Sequence, residues 1–279
     1  MTGMTVKSDN GYKPNGGLRG GRKYKYVIFD ADDTLLRYRD DERGAFSRLF
    51  LRHGIHADED LLRFSNAASE EVWTATGLYD VHSPAIQKRY HELYRTHVEH
   101  VFEKILFYIA ARGLSVDKTA VSAVSATSLR DEFLKELETG GNLVEGATET
   151  LSALKARGYF IAIATNGLTA IQIGRTKPLA GLFDGLFVSE AIGAIKPAAE
   201  FFERLLQGLG AEKEECLFVG DSLASDVAGA NGAGIDCCLF DPRGKYSAGG
   251  CAGGAGASGG VKAKPDYVIA KLTELLNLL

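Results

Sequence analysis

Tyr24-Lys25-Tyr26-Val27-Ile28-Phe29-Asp30-Ala31-Asp32-Asp33-Thr34 is an almost unbroken apolar run that ends on a cluster of carboxylates. Its length, its β-branched and aromatic content and its lack of a helical period fit a strand buried on both faces, as in a parallel sheet. The same pattern returns at Tyr159–Asn166, Gly185–Glu190, Cys216–Asp221 and Asp236–Asp241, and more weakly at Tyr267–Ala270. Helical patterns separate the later runs, over Glu145–Arg157, Pro197–Leu209 and Ala224–Asn231, with Gly158, Gly210 and Gly232 placed as stops. Alternating strand and helix signals predict an α/β fold built on a doubly wound, Rossmann-like parallel sheet.

The interval after the first strand breaks this rhythm. Residues 38–140 carry helical periodicity and no strand signal, with stops at Gly54, Gly77 and Gly113 and a breaker at Pro84. An excursion of about 100 residues far exceeds an ordinary strand–helix connection. It is therefore expected to be an inserted all-helical domain, returning through a hinge at Gly140-Gly141-Asn142 to a core made of 24–37 and 141–279. Residues 1–23, polar and glycine-rich, read as a disordered tail. Residues 244–260 hold eight glycines among seventeen, so 244–265 reads as a flexible insertion within the core before the last strand.

The bulk composition narrows the partners. The chain has 279 residues and a net charge of −4, which gives no general attraction to nucleic-acid polymers or anionic membranes. Recognition of an anion must then be local. No apolar run approaches the ~18 residues of a membrane span, and the first 23 residues carry basic side chains without an apolar stretch, so a signal peptide is not expected. Cys216, Cys237, Cys238 and Cys251 form no Cys-x-x-Cys pair, and the first three sit in strand-like runs as small hydrophobes. That usage fits a reducing, cytoplasmic setting.

Four pieces fall at or just after predicted strand ends, where open α/β sheets bind ligands: Asp30–Thr34, Thr165-Asn166, Lys196-Pro197 and Gly220–Asp226. Each alone is weak, but in this order they address one problem. A carboxylate attacking a phosphate dianion meets repulsion, which Asp32, Asp33, Asp221 and Asp226 would sharpen. A cation among them removes the difficulty, and oxygen-only ligands select a hard ion such as Mg2+. Lys196 adds a second positive charge, and Thr165 with nearby backbone amides can donate to a transferring phosphoryl. Asp30 can then form an aspartyl-phosphate, while Asp32, two residues on, is placed to protonate the leaving alcohol and to activate water.

These pieces resemble motifs I to IV of the haloacid dehalogenase (HAD) superfamily over residues 24–241, and the helical insertion resembles that superfamily's C1-type cap. Phe29–Leu35, Ser189–Pro197 and Val219–Asp226 are most similar to the YjjG/YfnB-type pyrimidine 5′-nucleotidases, which act on nucleoside monophosphates. The resemblance implies Asp30 as nucleophile and Asp32 as acid–base. It implies Mg2+ held by the Asp30 carboxylate, the Asp32 carbonyl and Asp221, with Asp226 supporting, and phosphate held by Thr165, Asn166 and Lys196. It also implies strand order 3-2-1-4-5, with Asp30 at the switch point. Glu145 stands where relatives often carry proline, and the glycine-rich insertion is longer than the family leads one to expect.

The expected function is Mg2+-dependent hydrolysis of a small phosphorylated metabolite, a pyrimidine nucleoside monophosphate in the first instance. A sugar-phosphate phosphatase or a β-phosphoglucomutase-like phosphomutase is the alternative. A phospho-receiver domain would place its acidic pair and phosphorylated aspartate on different strands, and a dehalogenase would lack Asp32. A catalytically silent binding protein would not need the full set of side chains. His97 and His100, three apart without a third ligand, read as surface residues rather than a metal site. Trp73, Tyr79 and Tyr94 could stack on a base, though aromatics at helical spacing are more often core. Gly229–Gly234 lies between a helix and the next strand, the wrong order for a dinucleotide loop.

Overall fold

The structure, a computed structural model, describes residues 6–7, 23–114, 125–246 and 263–279. Its centre is one sheet built from β1 (Val6–Lys7), β2 (Tyr26–Phe29), β3 (Phe160–Thr165), β4 (Gly185–Val188), β5 (Cys216–Gly220), β6 (Asp236–Phe240) and β7 (Tyr267–Ile269). The order across the sheet is β1-β4-β3-β2-β5-β6-β7. The strands β2 to β7 run parallel, so the expected 3-2-1-4-5 order is present, with the weak run at Tyr267 adding a sixth parallel strand. One detail departs from the reading of the tail. Val6–Lys7 pairs antiparallel with the outer edge of β4, Val6 opposite Leu186. Such a ladder is made by main-chain groups, so a polar, aperiodic sequence does not announce it. Residues 1–5 and 8–22 of that tail, and most of the glycine-rich stretch with Cys251, lie outside the described residues.

The near-continuous apolarity of the strands has its cause in the two cores they separate. Successive side chains point to opposite faces. Val27, Phe29, Leu217 and Val219 join one core, closed by α5 (Ala147–Ala156) and the C-terminal Leu272 and Leu275. Tyr26, Ile28, Cys216 and Phe218 join the other, closed by α8 (Ala199–Leu209) through Phe201, Phe202 and Leu205. The helix expected at Ala224–Asn231 is a π-helical turn, Leu223–Val227, followed by α9 (Ala228–Ala233). Its stop is Gly234, at φ 71°, and Gly232 lies inside it. A wide first turn shifts the helix downstream, which a 3.6-residue pattern cannot anticipate.

Between β2 and β3 the chain forms α1 (Tyr38–Arg52), α2 (Glu59–Ala75), α3 (Pro84–Arg112) and α4 (Ala126–Leu137). Pro84 opens α3, where its missing N–H costs nothing, rather than breaking a helix. Asp58 caps α2 by accepting from Leu61 N at 2.7 Å, and Ser125 caps α4 by accepting from Ser128 N at 3.1 Å. These helices enclose their own apolar core around Phe46, Phe50, Phe102 and Phe133, which also takes in Leu168 and Ile171 of the sheet-bearing part. The segments leaving and re-entering the sheet are tied together, Arg37 N to Asn142 O at 2.7 Å and Val144 N to Leu35 O at 2.9 Å. Phe133 packs on Phe46 at 4.6 Å and on Phe102 at 5.5 Å between ring centroids. Phe133→Ala is expected to lower stability by about 3–5 kcal/mol in urea titration; a loss below about 1 kcal/mol would deny that this ring cluster holds the helical insertion together.

Candidate active site

Asp30 closes β2 at the point where the chain order reverses, and its N–H donates to Val219 O at 2.8 Å, so β5 sets its height. The turn behind it places Asp33 in the left-handed region, φ 60°, and brings Thr34 Oγ1 to Asp30 Oδ2 at 3.4 Å. The Lys196 ammonium enters from beyond α7 (Ser189–Ile192), with the side chain only about 2% exposed. It donates to Asp30 Oδ1 at 2.5 Å, Asp226 Oδ1 at 2.7 Å and Ala164 O at 2.9 Å. All three of its protons are therefore directed, and its position is fixed.

Asp226 lies in the π-helical turn, where its second oxygen accepts from Ser222 N at 3.0 Å. Gly220 at the end of β5 makes this possible, because a Cβ there would sit 2.3 Å from Asp226 Oδ2. Asp221, Asp226 and Asp30 bring carboxylate oxygens within 4.8 Å of one another, the metal-capable group found among the described residues. Three carboxylates against one ammonium leave the cluster short of positive charge. Burial, then Asp226 and Asp30, push the Asp221 carboxyl up to about 8, while Lys196 only partly opposes them. Burial also pushes Asp30 up to about 7 against the pull of Lys196. Burial lowers the Lys196 pKa, but Asp226 and Asp30 outweigh it and the net shift is upward. Both shifts are upward, which favours the charged lysine and disfavours the charged aspartate. The ammonium is charged, since two carboxylates share it, and the excess negative charge falls on Asp30 and Asp221. An all-oxygen donor set with unbalanced negative charge fits a hard divalent cation.

Asp32 turns away from this cluster. Both its oxygens are held by α6 (Thr169–Arg175), one by Arg175 Nη1 and the other by Gln172 Nε2 at 2.9 Å. Arg175 and Gln172 were not picked out from the sequence. Their i, i+3 spacing puts them on one helix face, but nothing in the chain says what that face meets. Thr165 is buried at the end of β3, and its hydroxyl donates to Asn166 O at 3.2 Å. The Asn166 amide nitrogen donates to Lys196 O at 3.0 Å and its oxygen accepts from Lys196 N at 2.8 Å, so its side chain braces the lysine while the residue lines the cavity.

Over these groups lies a cavity of about 690 Å³, floored by the carboxylates and walled by the helical insertion. That volume suits a small metabolite. Trp73, Tyr79 and Tyr94, read as candidates for base stacking or for core, all line this cavity, and Trp73 and Tyr94 also pack on the apolar clusters behind it. Trp73 meets Tyr90 and His97 edge to face, at 6.4 and 5.5 Å between centroids. His97 is not a surface residue: it is 3% exposed, its Nδ1 has no partner among the described residues, and burial pushes it down to about 4. Glu42, buried in the same wall, accepts from Ser69 Oγ at 2.7 Å, and burial pushes it up to about 7. No helix among the described residues is long and apolar enough to cross a membrane.

Residues 24–234 match the sequence pattern of the haloacid dehalogenase-like hydrolases. The chain belongs to this family. It is 30% identical to pyrimidine 5′-nucleotidase PynA of Streptococcus pneumoniae, over 79% of this chain and 85% of that one. It is 31% identical to ribulose-1,5-bisphosphate 5-phosphatase of Halopiger xanaduensis, over 77% and 84%. The crystal structure of the putative HAD-hydrolase YfnB from Bacillus subtilis superposes with a TM-score of 0.71 at 26% identity, covering 92% of this chain and 99% of that one. The chain is thus a HAD-superfamily hydrolase with phosphatase and nucleotidase relatives.

The position of Glu42 has a measurable consequence. Its folded pKa of about 7 lies above the ordinary 4.5, so its contribution to stability is complete below pH ~4.5 and is lost as pH rises through ~7. Glu42→Gln should gain on the parent between pH 5 and 8, by about 3 kcal/mol at most. Parallel stability curves across that range would show that Glu42 does not titrate there.

Proposed function

We propose that this hydrolase removes phosphate from pyrimidine nucleoside 5′-monophosphates through an aspartyl-phosphate on Asp30, with Mg2+ as cofactor. The supporting observation is the buried Lys196 ammonium joining Asp30 and Asp226 beside Asp221, beneath an aromatic-walled cavity. Asp30 carries the nucleophilic oxygen. As its bond to phosphorus forms, the ester oxygen leaves and takes a proton from the Asp32 carboxyl. Asp32 then removes a proton from a water that attacks the same phosphorus, which releases phosphate and restores Asp30. Lys196 and Thr165 address the phosphoryl oxygens, and Asn166 serves by holding Lys196. Asp30, Asp221 and the Asp32 backbone carbonyl would hold Mg2+, with Asp226 supporting. The ion's charge would offset the repulsion between carboxylate and phosphate.

Residues 38–140 are read as the cap that closes over the leaving group, with 24–37 and 141–279 as the core. For YfnB, magnesium-bound crystals are reported to reveal interdomain movement, which supports a hinged reading. The substrate class rests on the wall. Trp73, Tyr90 and Tyr94 present flat aromatic surface, and stacking on a base uses such surface better than a sugar phosphate would. PynA's name points the same way; the name of the ribulose bisphosphate phosphatase keeps sugar phosphates as the rival. Cys216, Cys237 and Cys238 are buried and form no disulfide among the described residues, which supports a cytoplasmic setting.

Asp30→Asn should lower Mg2+-dependent phosphate release by about a thousandfold or more in a coupled phosphate assay. Turnover within a few-fold of the parent would end the covalent reading. Trp73→Ala should raise KM for UMP about tenfold while leaving glycerol phosphate nearly unaffected. A parent enzyme that prefers hexose phosphates and ignores UMP, dUMP and dTMP would overturn the nucleotide assignment.

A further inference from the structure

We propose that Arg175 is a positioning residue that couples the orientation of Asp32 to the joint of the helical insertion. This rests on the reading of Asp32 as acid–base. Arg175 ends α6, and its side chain is completely buried. Its guanidinium reaches in two directions. Nη1 donates to Asp32 Oδ1, and Nε donates to Asp41 Oδ2 at 2.8 Å. Asp41, in the first turn of α1, uses its other oxygen on the returning segment: Oδ1 accepts from Gly141 N at 2.8 Å, Asn142 N at 2.9 Å and Asn142 Nδ2 at 2.7 Å.

One continuous set of charge-assisted hydrogen bonds therefore runs from the reacting carboxylate to both crossings of the insertion. The close packing around it leaves little slack. A Cβ at residue 140 would lie 2.6 Å from Asp41 Cγ, and one at 141 would lie 2.6 Å from Pro178 Cγ and 2.9 Å from Arg175 O. The glycines of the expected hinge are thus required by contact with this network, not by mobility alone. The guanidinium also sits 5.2 Å from the Tyr38 ring centroid, at the start of α1.

The chemical consequence concerns where Asp32 can point. Arg175 and Gln172 together hold both its oxygens on α6, away from the Lys196 cluster. To protonate a leaving oxygen, Asp32 must turn while at least one of these bonds yields. Any movement of the joint moves Asp41, and Asp41 shares its guanidinium with Asp32, so the two displacements are linked. A planar fork can hold two carboxylates at fixed angles, which a lysine ammonium does only loosely.

The test uses the full-length enzyme and the leaving-group dependence of kcat/KM, which excludes the later hydrolysis of the phospho-enzyme. A nitrophenolate leaves without a proton, whereas the 5′-alkoxide of UMP needs one. Arg175→Met should lower kcat/KM about tenfold to a hundredfold for UMP, and less than about threefold for p-nitrophenyl phosphate, within a general acid's own contribution. Arg175→Lys should recover part of the UMP activity, and Asp41→Asn should show the same selectivity more weakly. The latter two serve if Arg175→Met does not fold. Equal losses on both substrates would reduce Arg175 to a structural role and overturn the coupling. Asp32→Asn separates the two levels. Selective loss there but none at Arg175 or Asp41 sinks this inference alone; non-selective loss at Asp32 removes the acid–base reading and the inference with it.

Discussion

The ammonium of Lys196, sealed beneath the sheet's C-terminal edge between Asp30 and Asp226, is the interaction on which the site depends. Removing a lysine from water is costly unless it is paired, and removing one partner of a buried pair leaves the other charge uncompensated. The surrounding fold meets that demand in detail. β3 lends Ala164 O as third acceptor, Asn166 clamps the lysine backbone at both ends, and Gly220 clears the space into which Asp226 turns. Even so, burial, together with carboxylates that outnumber the cation, makes Asp221 and Asp30 bind their protons more tightly than ordinary carboxyls. The site is built around a deficit of positive charge that a divalent cation would offset.

A second charged network, around Arg175, stands beside the first without sharing a side chain with it. The division has a physical logic. Under the proposed mechanism the Lys196 cluster would stay rigid to meet a phosphorus atom, whereas Asp32 would exchange protons with two different oxygens in turn. Placing Asp32 on a different cation, itself tied to Asp41 at the base of the insertion, would separate the fixed electrostatics from the group proposed to turn.

Much of the fold was legible because burial on two faces writes a distinctive pattern into a strand. Val27 and Phe29 point one way, Tyr26 and Ile28 the other, and every one of them had to be apolar. The helical insertion was equally plain from period and length, and Gly54, Gly77 and Gly113 adopt the left-handed conformation expected of helix ends. The failures were local. Gly232 gave way to Gly234 because a π-helical turn delayed the helix, and Val6–Lys7 joined the sheet through main-chain groups that have no sequence signature.

For the site, the sequence by itself determined the chemical inventory: Asp30, Asp32, Thr165, Lys196, Asp221 and Asp226 at or just after strand ends, because a parallel sheet gathers those ends at one edge. Only the tertiary structure decided what each group faces. It turned Asn166 onto the lysine backbone and buried His97 in the cavity wall. It also brought Arg175 from 143 residues away onto Asp32. These contacts join loop and helix residues distant in sequence, and a helix's pattern reveals which face is apolar or polar but not which partner that face will meet.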